Sequence, residues 1–110
     1  MSSSDQQENT LGGRHPVDAN GLKIQEVAAW AVAEYNKKQG TNLKFEKVLR
    51  AEQDGNIGST TYYIDLEASE DCKTNNYYAQ VIEIITETPI KELQKFHVLL
   101  LGDEPTPVAN

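Results

Sequence analysis

The chain has 110 residues, enough for one domain and too few for two independent cores. With 17 acidic against 10 basic side chains and a formal charge of −7, it lacks the clustered Lys and Arg that phosphate backbones and anionic membrane surfaces select, so neither nucleic acid nor a membrane is expected as partner. The single cysteine, Cys72, excludes an internal disulfide and a cysteine metal cluster, and its acidic neighbours Glu70 and Asp71 supply no cation to activate the thiol.

From Ser2 to Asn9 the chain is polar and acidic, without the apolar run of a signal peptide. No stretch is long enough to span a bilayer. The expectation is a soluble chain, cytoplasmic or secreted after signal-peptide removal, with residues 1–10 as an N-terminal tail. Leu11-Gly12-Gly13 follows, an apolar residue before a glycine joint. Asn20 suits an N-cap, and Gly21 to Lys38 reads as the long helix of the chain. Ile24, Val27, Ala28, Ala31, Val32 and Tyr35 recur at three- and four-residue spacing and form one apolar stripe, with Trp30 at its margin. Lys37 and Lys38 complement the C-terminal end of the helix dipole, and Gly40 supplies a left-handed stop.

Beyond Gly40 the apolar period changes from helical to two. Leu43, Phe45 and Val48 open a strand running to Gln53, and Asp54-Gly55-Asn56-Ile57-Gly58 is a turn signal. Thr60 to Ala68 reads as a second strand, rich in Thr, Tyr and Ile. Asp71 to Asn76 is a polar turn in which Asn75 and Asn76 tolerate positive φ. Tyr77 to Ile85 is a third strand, Thr86 to Pro89 a third turn, and Leu93 to Leu101 a final strand before Gly102 and the Pro-containing tail. A helix with one apolar stripe must bury it on one face of the antiparallel sheet that these hairpins build, giving an α+β domain over residues 11–102 with a tail over 103–110.

The residues that chemistry needs are missing. His15, placed in a pre-helix loop, and His97, on the last strand, lack metal-ligand spacing to any other His, Cys or acidic cluster. No Gly-rich loop opens a helix, and no elbow presents a serine. No enzyme activity, metal or cofactor is expected. Binding to another protein is.

The helix segment Val27-Ala28-Ala29-Trp30-Ala31-Val32-Ala33-Glu34-Tyr35-Asn36 resembles the helix signature of plant cystatins, inhibitors of papain-like cysteine proteases. Ala29 stands where that family carries a charge, and Trp30 where it carries Phe. Lys47-Val48-Leu49-Arg50-Ala51, Tyr62 to Ala68, Tyr78-Ala79-Gln80-Val81 and Lys91 to Phe96 are similar to the family's successive strands, in the same order. The resemblance runs from Leu11 to Gly102 and implies the cystatin-like fold, one long helix on a four- to five-stranded antiparallel sheet.

It also implies a wedge of three edges that fills a protease cleft: a trunk with a glycine pair, a first hairpin loop and a second hairpin loop. By that resemblance Leu11, Gly12 and Gly13 form the trunk. Asp54, Gly55, Asn56, Ile57 and Gly58 stand in the first loop, and Ile85, Thr86 and Glu87 in the second. Both loops depart from the family pattern. The two valines of the first loop are absent, and Asp54 brings a charge whose unpaired burial in a cleft costs about 3–5 kcal/mol. The second loop has no Trp, and loss of a central aromatic anchor costs about 2 kcal/mol or more. Two readings follow. One is a cystatin-type inhibitor of papain-like cysteine proteases; the other is a non-inhibitory cystatin-fold binding module, natural or with engineered loops. A monomer is expected, with exchange of hairpins between chains about the first loop as the alternative.

Overall fold

Residues 13–99 are described by a computed structural model. The expected tails, together with Leu11, Gly12 and the end of the final strand beyond Leu99, lie outside the described residues. In chain order the elements are β1 (His15–Val17), α1 (Leu22–Gln39), β2 (Lys44–Asn56), β3 (Ser59–Glu70), β4 (Lys73–Ile84) and β5 (Ile90–Leu99). All five strands form one antiparallel sheet in the order β1-β2-β3-β4-β5.

The apolar stripe does what its spacing predicts. Ile24, Val27, Ala28, Ala31 and Val32 are buried against the sheet. Tyr62, Ile64, Leu66 and Ala68 alternate along β3 and bury the facing layer, joined by Ala79 and Val81 of β4 and Val48 and Ala51 of β2. Each Val, Leu or Ile so enclosed contributes about 1.5–3 kcal/mol of transfer free energy. The alanines of α1 bring the helix close to the sheet. Tyr35 stacks on Phe96 of β5 at 4.3 Å between ring centroids, and Phe96 in turn stacks on Tyr77 at 5.4 Å. Irregular register in β2, between Phe45 and Lys47 and between Val48 and Arg50, adds the local twist of bulges to the strand facing the helix.

Several boundaries differ from the sequence reading. Gly21, not Asn20, is the N-cap, and no side chain caps it. The Asn20 amide instead donates to Asp18 Oδ1 at 2.9 Å and Gly21 N–H to the Asp18 carbonyl at 3.0 Å, so Asp18 organises a turn ahead of the helix. His15 lies in β1, paired with Gln53, and not in a loop. Three residues containing a proline carry no period, and β1 exists because the β2 edge accepts it. The turn between β3 and β4 is Asp71 and Cys72 alone, both with positive φ (53° and 67°). Two consecutive left-handed residues close a two-residue hairpin whose twist suits the strands. Asn75 and Asn76 therefore lie in β4, opposite Ala68 and Glu67. The last strand begins at Ile90, immediately after Pro89.

At the other end of α1, Gly40 is the left-handed cap (φ 68°) and donates to the Asn36 carbonyl at 2.8 Å. The Asn36 side chain reaches outward. Its Nδ2 donates to the Leu43 carbonyl at 2.9 Å, while its Oδ1 accepts from Leu43 N–H at 2.9 Å and from Thr41 Oγ1 at 2.8 Å. One amide thus fastens the helix end to the start of β2.

Candidate functional site: the joined turn edge

The first hairpin is tighter than the sequence suggests. Strand β2 continues through Asp54, Gly55 and Asn56, paired with Thr61, Thr60 and Ser59. Only Ile57 and Gly58 remain as the turn. Gly58, at φ +84°, takes the left-handed conformation that closes it. The expected five-residue loop is therefore corrected: Asp54 and Gly55 are strand residues behind the turn, because each finds a ladder partner on β3. Asp54 is half-buried, and its Oδ1 is buried without a hydrogen-bond partner among the described residues. Its charge sits in the sheet, off the tip.

The second turn, Ile85 to Pro89, lies between β4 and β5 and is exposed throughout. Thr86 Oγ1 donates to the Thr88 carbonyl at 2.6 Å, which tightens its interior. Ile85 N–H donates to the Gly58 carbonyl at 2.8 Å. The two turns therefore share a hydrogen bond and form one edge. Ile57 is 89% exposed and Ile85 55% exposed on that edge. Ile90, 53% exposed and paired across the strands with Ile84, adds a further aliphatic side chain at its base. Ile90 precedes the strand expected from Leu93 onward, and its pairing with Ile84 is what places it at this edge.

Gly13, at φ +91°, is the first described residue and leads into Arg14, one residue before β1. Arg14 Cζ stands 3.8 Å from the centroid of the Tyr63 ring, and its Nε donates to Glu52 Oε1 at 2.5 Å. The hydrogen bond to Glu52 raises the Arg14 pKa, against a smaller loss from burial. Arg14 thus fixes where the chain emerging from Gly13 meets the outer face of the sheet. Of the site residues expected from sequence, Ile57, Gly58, Ile85, Thr86 and Glu87 come together at the edge. Asn56 borders it, Asp54 and Gly55 stand behind it, Gly13 lies at the β1 entry, and Leu11 and Gly12 lie outside the described residues.

Below the edge, facing the helix, lies Glu83, a carboxylate only 4% exposed. Lys23 of α1 reaches it at 3.0 Å, Lys91 of β5 stands 4.0 Å away, and Tyr62 Oη donates to it at 3.4 Å. The hydrogen bond to Glu83 raises the Lys23 pKa. Burial, followed by the Glu83 charge, raises that of Tyr62. Among the described residues, no three His, Cys, Asp or Glu side chains converge as a metal site, and no helix is long and apolar enough to cross a membrane.

The chain matches the family model described as aspartic acid proteinase inhibitor (SQAPI) over residues 17–99. It is 34% identical over 88 residues to cysteine proteinase inhibitor 3 of Arabidopsis thaliana, a match covering 78% of this chain and 69% of that one. It is 38% identical over 87 residues to cysteine proteinase inhibitor 1 of Oryza sativa subsp. japonica, covering 78% and 61% respectively. Against cysteine proteinase inhibitor A of Helianthus annuus the identity is 41% over 75 residues, covering 68% of this chain and 89% of that one. The chain therefore spans about six- to nine-tenths of the length of these relatives. The fold is also that of the solved structure of Al-CPI, with a TM-score of 0.58 at 15% identity, covering 79% of this chain and 99% of that one. With a family model matched over residues 17–99 and relatives at 34–41% identity, the chain belongs to the plant cystatin family.

Proposed function

We propose that this chain is a cystatin-type inhibitor that blocks papain-like cysteine proteases as a monomer. The joined turns enter the cleft together with a trunk made of Leu11, Gly12 and Gly13. The observation that carries this reading is the hydrogen bond from Ile85 N–H to the Gly58 carbonyl, which joins two exposed turns, tipped by Ile57 and Ile85, into one edge. The named activity of the relatives supports it. A cleft-filling inhibitor needs an apolar tip that desolvates cheaply and does not reorganise, and aliphatic side chains on a hydrogen-bonded edge meet both needs. The Asp54 carboxylate does not oppose insertion, because it is drawn back into the β2–β3 ladder. Contact by Asn56, Ile57, Gly58, Ile85, Thr86 and Glu87 is part of the proposal, with Asp54 and Gly55 supporting from behind.

A second reading concerns the target. The family model that matches is one of aspartic acid proteinase inhibitors, and the edge lacks the valines and the tryptophan of the plant cystatin pattern. Titration of papain and of pepsin with the purified chain, and with a form lacking residues 1–12, separates the possibilities. Inhibition of papain that weakens at least about tenfold on truncation supports the wedge reading. Inhibition of pepsin alone moves the target to the aspartic class. A folded chain that inhibits neither removes the inhibitor reading.

A further inference from the structure

We infer that Glu83 is the positioning residue of the joined turn edge, the group that holds the second turn in the place from which Ile85 reaches Gly58. The consequence for inhibition rests on the function proposed above; the positioning itself does not.

Glu83 stands at the base of the second turn. It is the last residue of β4 to face the helix before the second turn, and its cross-strand partner on β5 is Lys91. The pair therefore brackets the turn at its base, with Ile84 and Ile90 as the next pair out. On the other side Glu83 lies opposite Thr60, beside the first turn. Three elements send a polar group to this one carboxylate: α1 through Lys23, β3 through Tyr62 and β5 through Lys91. A carboxylate that is 4% exposed is tolerated only when such partners replace its water. Lys91 is itself 6.0 Å from the centroid of the Trp30 ring, so its ammonium is held between the indole and Glu83.

Stability alone does not require this arrangement. An apolar residue at position 83 would continue the buried row of Ala79 and Val81, and replacing a buried ion pair by packed apolar groups is commonly neutral or stabilising. What an ionised hub adds is direction, since each partner meets the carboxylate in a fixed place. Here that direction is imposed at the root of the edge, one pair below the Ile84–Ile90 rung.

The test is amide hydrogen exchange on the full chain, comparing wild type with Glu83→Gln, which keeps shape and loses charge, and Lys91→Met. The expected result is faster exchange at Ile85, by about tenfold in both variants, with Ile64 in central β3 changed less than twofold. Equal acceleration at Ile85 and Ile64 would mean that Glu83 serves global stability only, and would overturn the inference. So would an unchanged Ile85 rate. In papain titration Glu83→Gln is expected to weaken inhibition about tenfold, and to have less than a twofold effect in an Ile85→Ala background, since the two act through one edge. Additive effects in that cycle would also overturn it. If neither wild type nor variant inhibits papain while Ile85 exchange rises selectively, the positioning role stands and the proposed function is what fails.

Discussion

The backbone amide of Ile85 donates to the carbonyl of Gly58 at 2.8 Å, so the turn after β4 hangs on the turn after β2. Gly58 can offer that carbonyl because it adopts φ +84°, with open space where a Cβ would stand. The penalty for a side chain there is therefore conformational and not steric. Gly58→Ala is expected to lower unfolding free energy by about 1–2 kcal/mol, and Gly58→Asn by less, since Asn tolerates the left-handed region. Urea denaturation checks this. Equal stability of the alanine variant would mean that the turn does not need its glycine.

Asn36 makes three side-chain hydrogen bonds that close the gap between α1 and β2. Asn36→Ala leaves the Leu43 amide and carbonyl without those partners, and is expected to cost about 2 kcal/mol. Asn36→Asp keeps the acceptor and loses the donor to the Leu43 carbonyl, so it should fall between. Denaturant midpoints at constant slope measure the order.

Asp54 gives a prediction of opposite sign. Its Oδ1 is buried and unpaired among the described residues, opposite Thr61 on β3. Removing a desolvated acceptor and supplying a β-branched cross-strand neighbour should stabilise the fold. Asp54→Val is expected to raise stability by about 1 kcal/mol. A loss of stability on thermal unfolding would show that the carboxylate has a role in the fold.

Those two residues mark how far sequence could read this protein. Periodicity located the helix with its buried row of Ile24, Val27, Ala28, Ala31 and Val32, and the strand that is β3, because burial on one face imposes a period on the side chains; Ile64 and Leu66 emerge as its core row only in the fold. Asn36 was visible only through the resemblance to plant cystatins, since its three bonds run to a loop and a strand that composition does not connect. The Asp54–Gly58 stretch carried turn chemistry in every residue but Ile57, and turn propensity alone could not decide which two would turn. Pairing with Thr60 and Thr61 decided it, and a cross-strand register is not written in the propensity of any one residue. The Glu83 hub left no local signal, because its partners come from three elements as far apart in sequence as Lys23 and Lys91.

The same hub sets a pH dependence. Lys23 is raised by its hydrogen bond to Glu83 above the ordinary 10.5, and Tyr62 by burial, then by the Glu83 charge, above the ordinary 10.0. In both, the folded state holds the proton more tightly than the unfolded chain. The stabilisation is therefore fully present below pH 10 and declines as pH rises through the raised values. The melting temperature should fall on the alkaline side of pH 10, and Tyr62→Phe, which removes one of the two groups, should flatten that fall. An equally steep decline in the phenylalanine variant would assign the alkaline loss elsewhere.

The proposed insertion of one joined, aliphatic-tipped edge into a protease cleft is tested most directly by the papain inhibition constant of Ile85→Asp. Ile85 is exposed, so the substitution spares the core, and its backbone amide still reaches Gly58. A carboxylate buried at the tip should weaken inhibition by at least about 30-fold, some 2 kcal/mol, with unfolding unchanged. Inhibition equal to that of wild type would contradict the claim and place the contact surface elsewhere on the molecule.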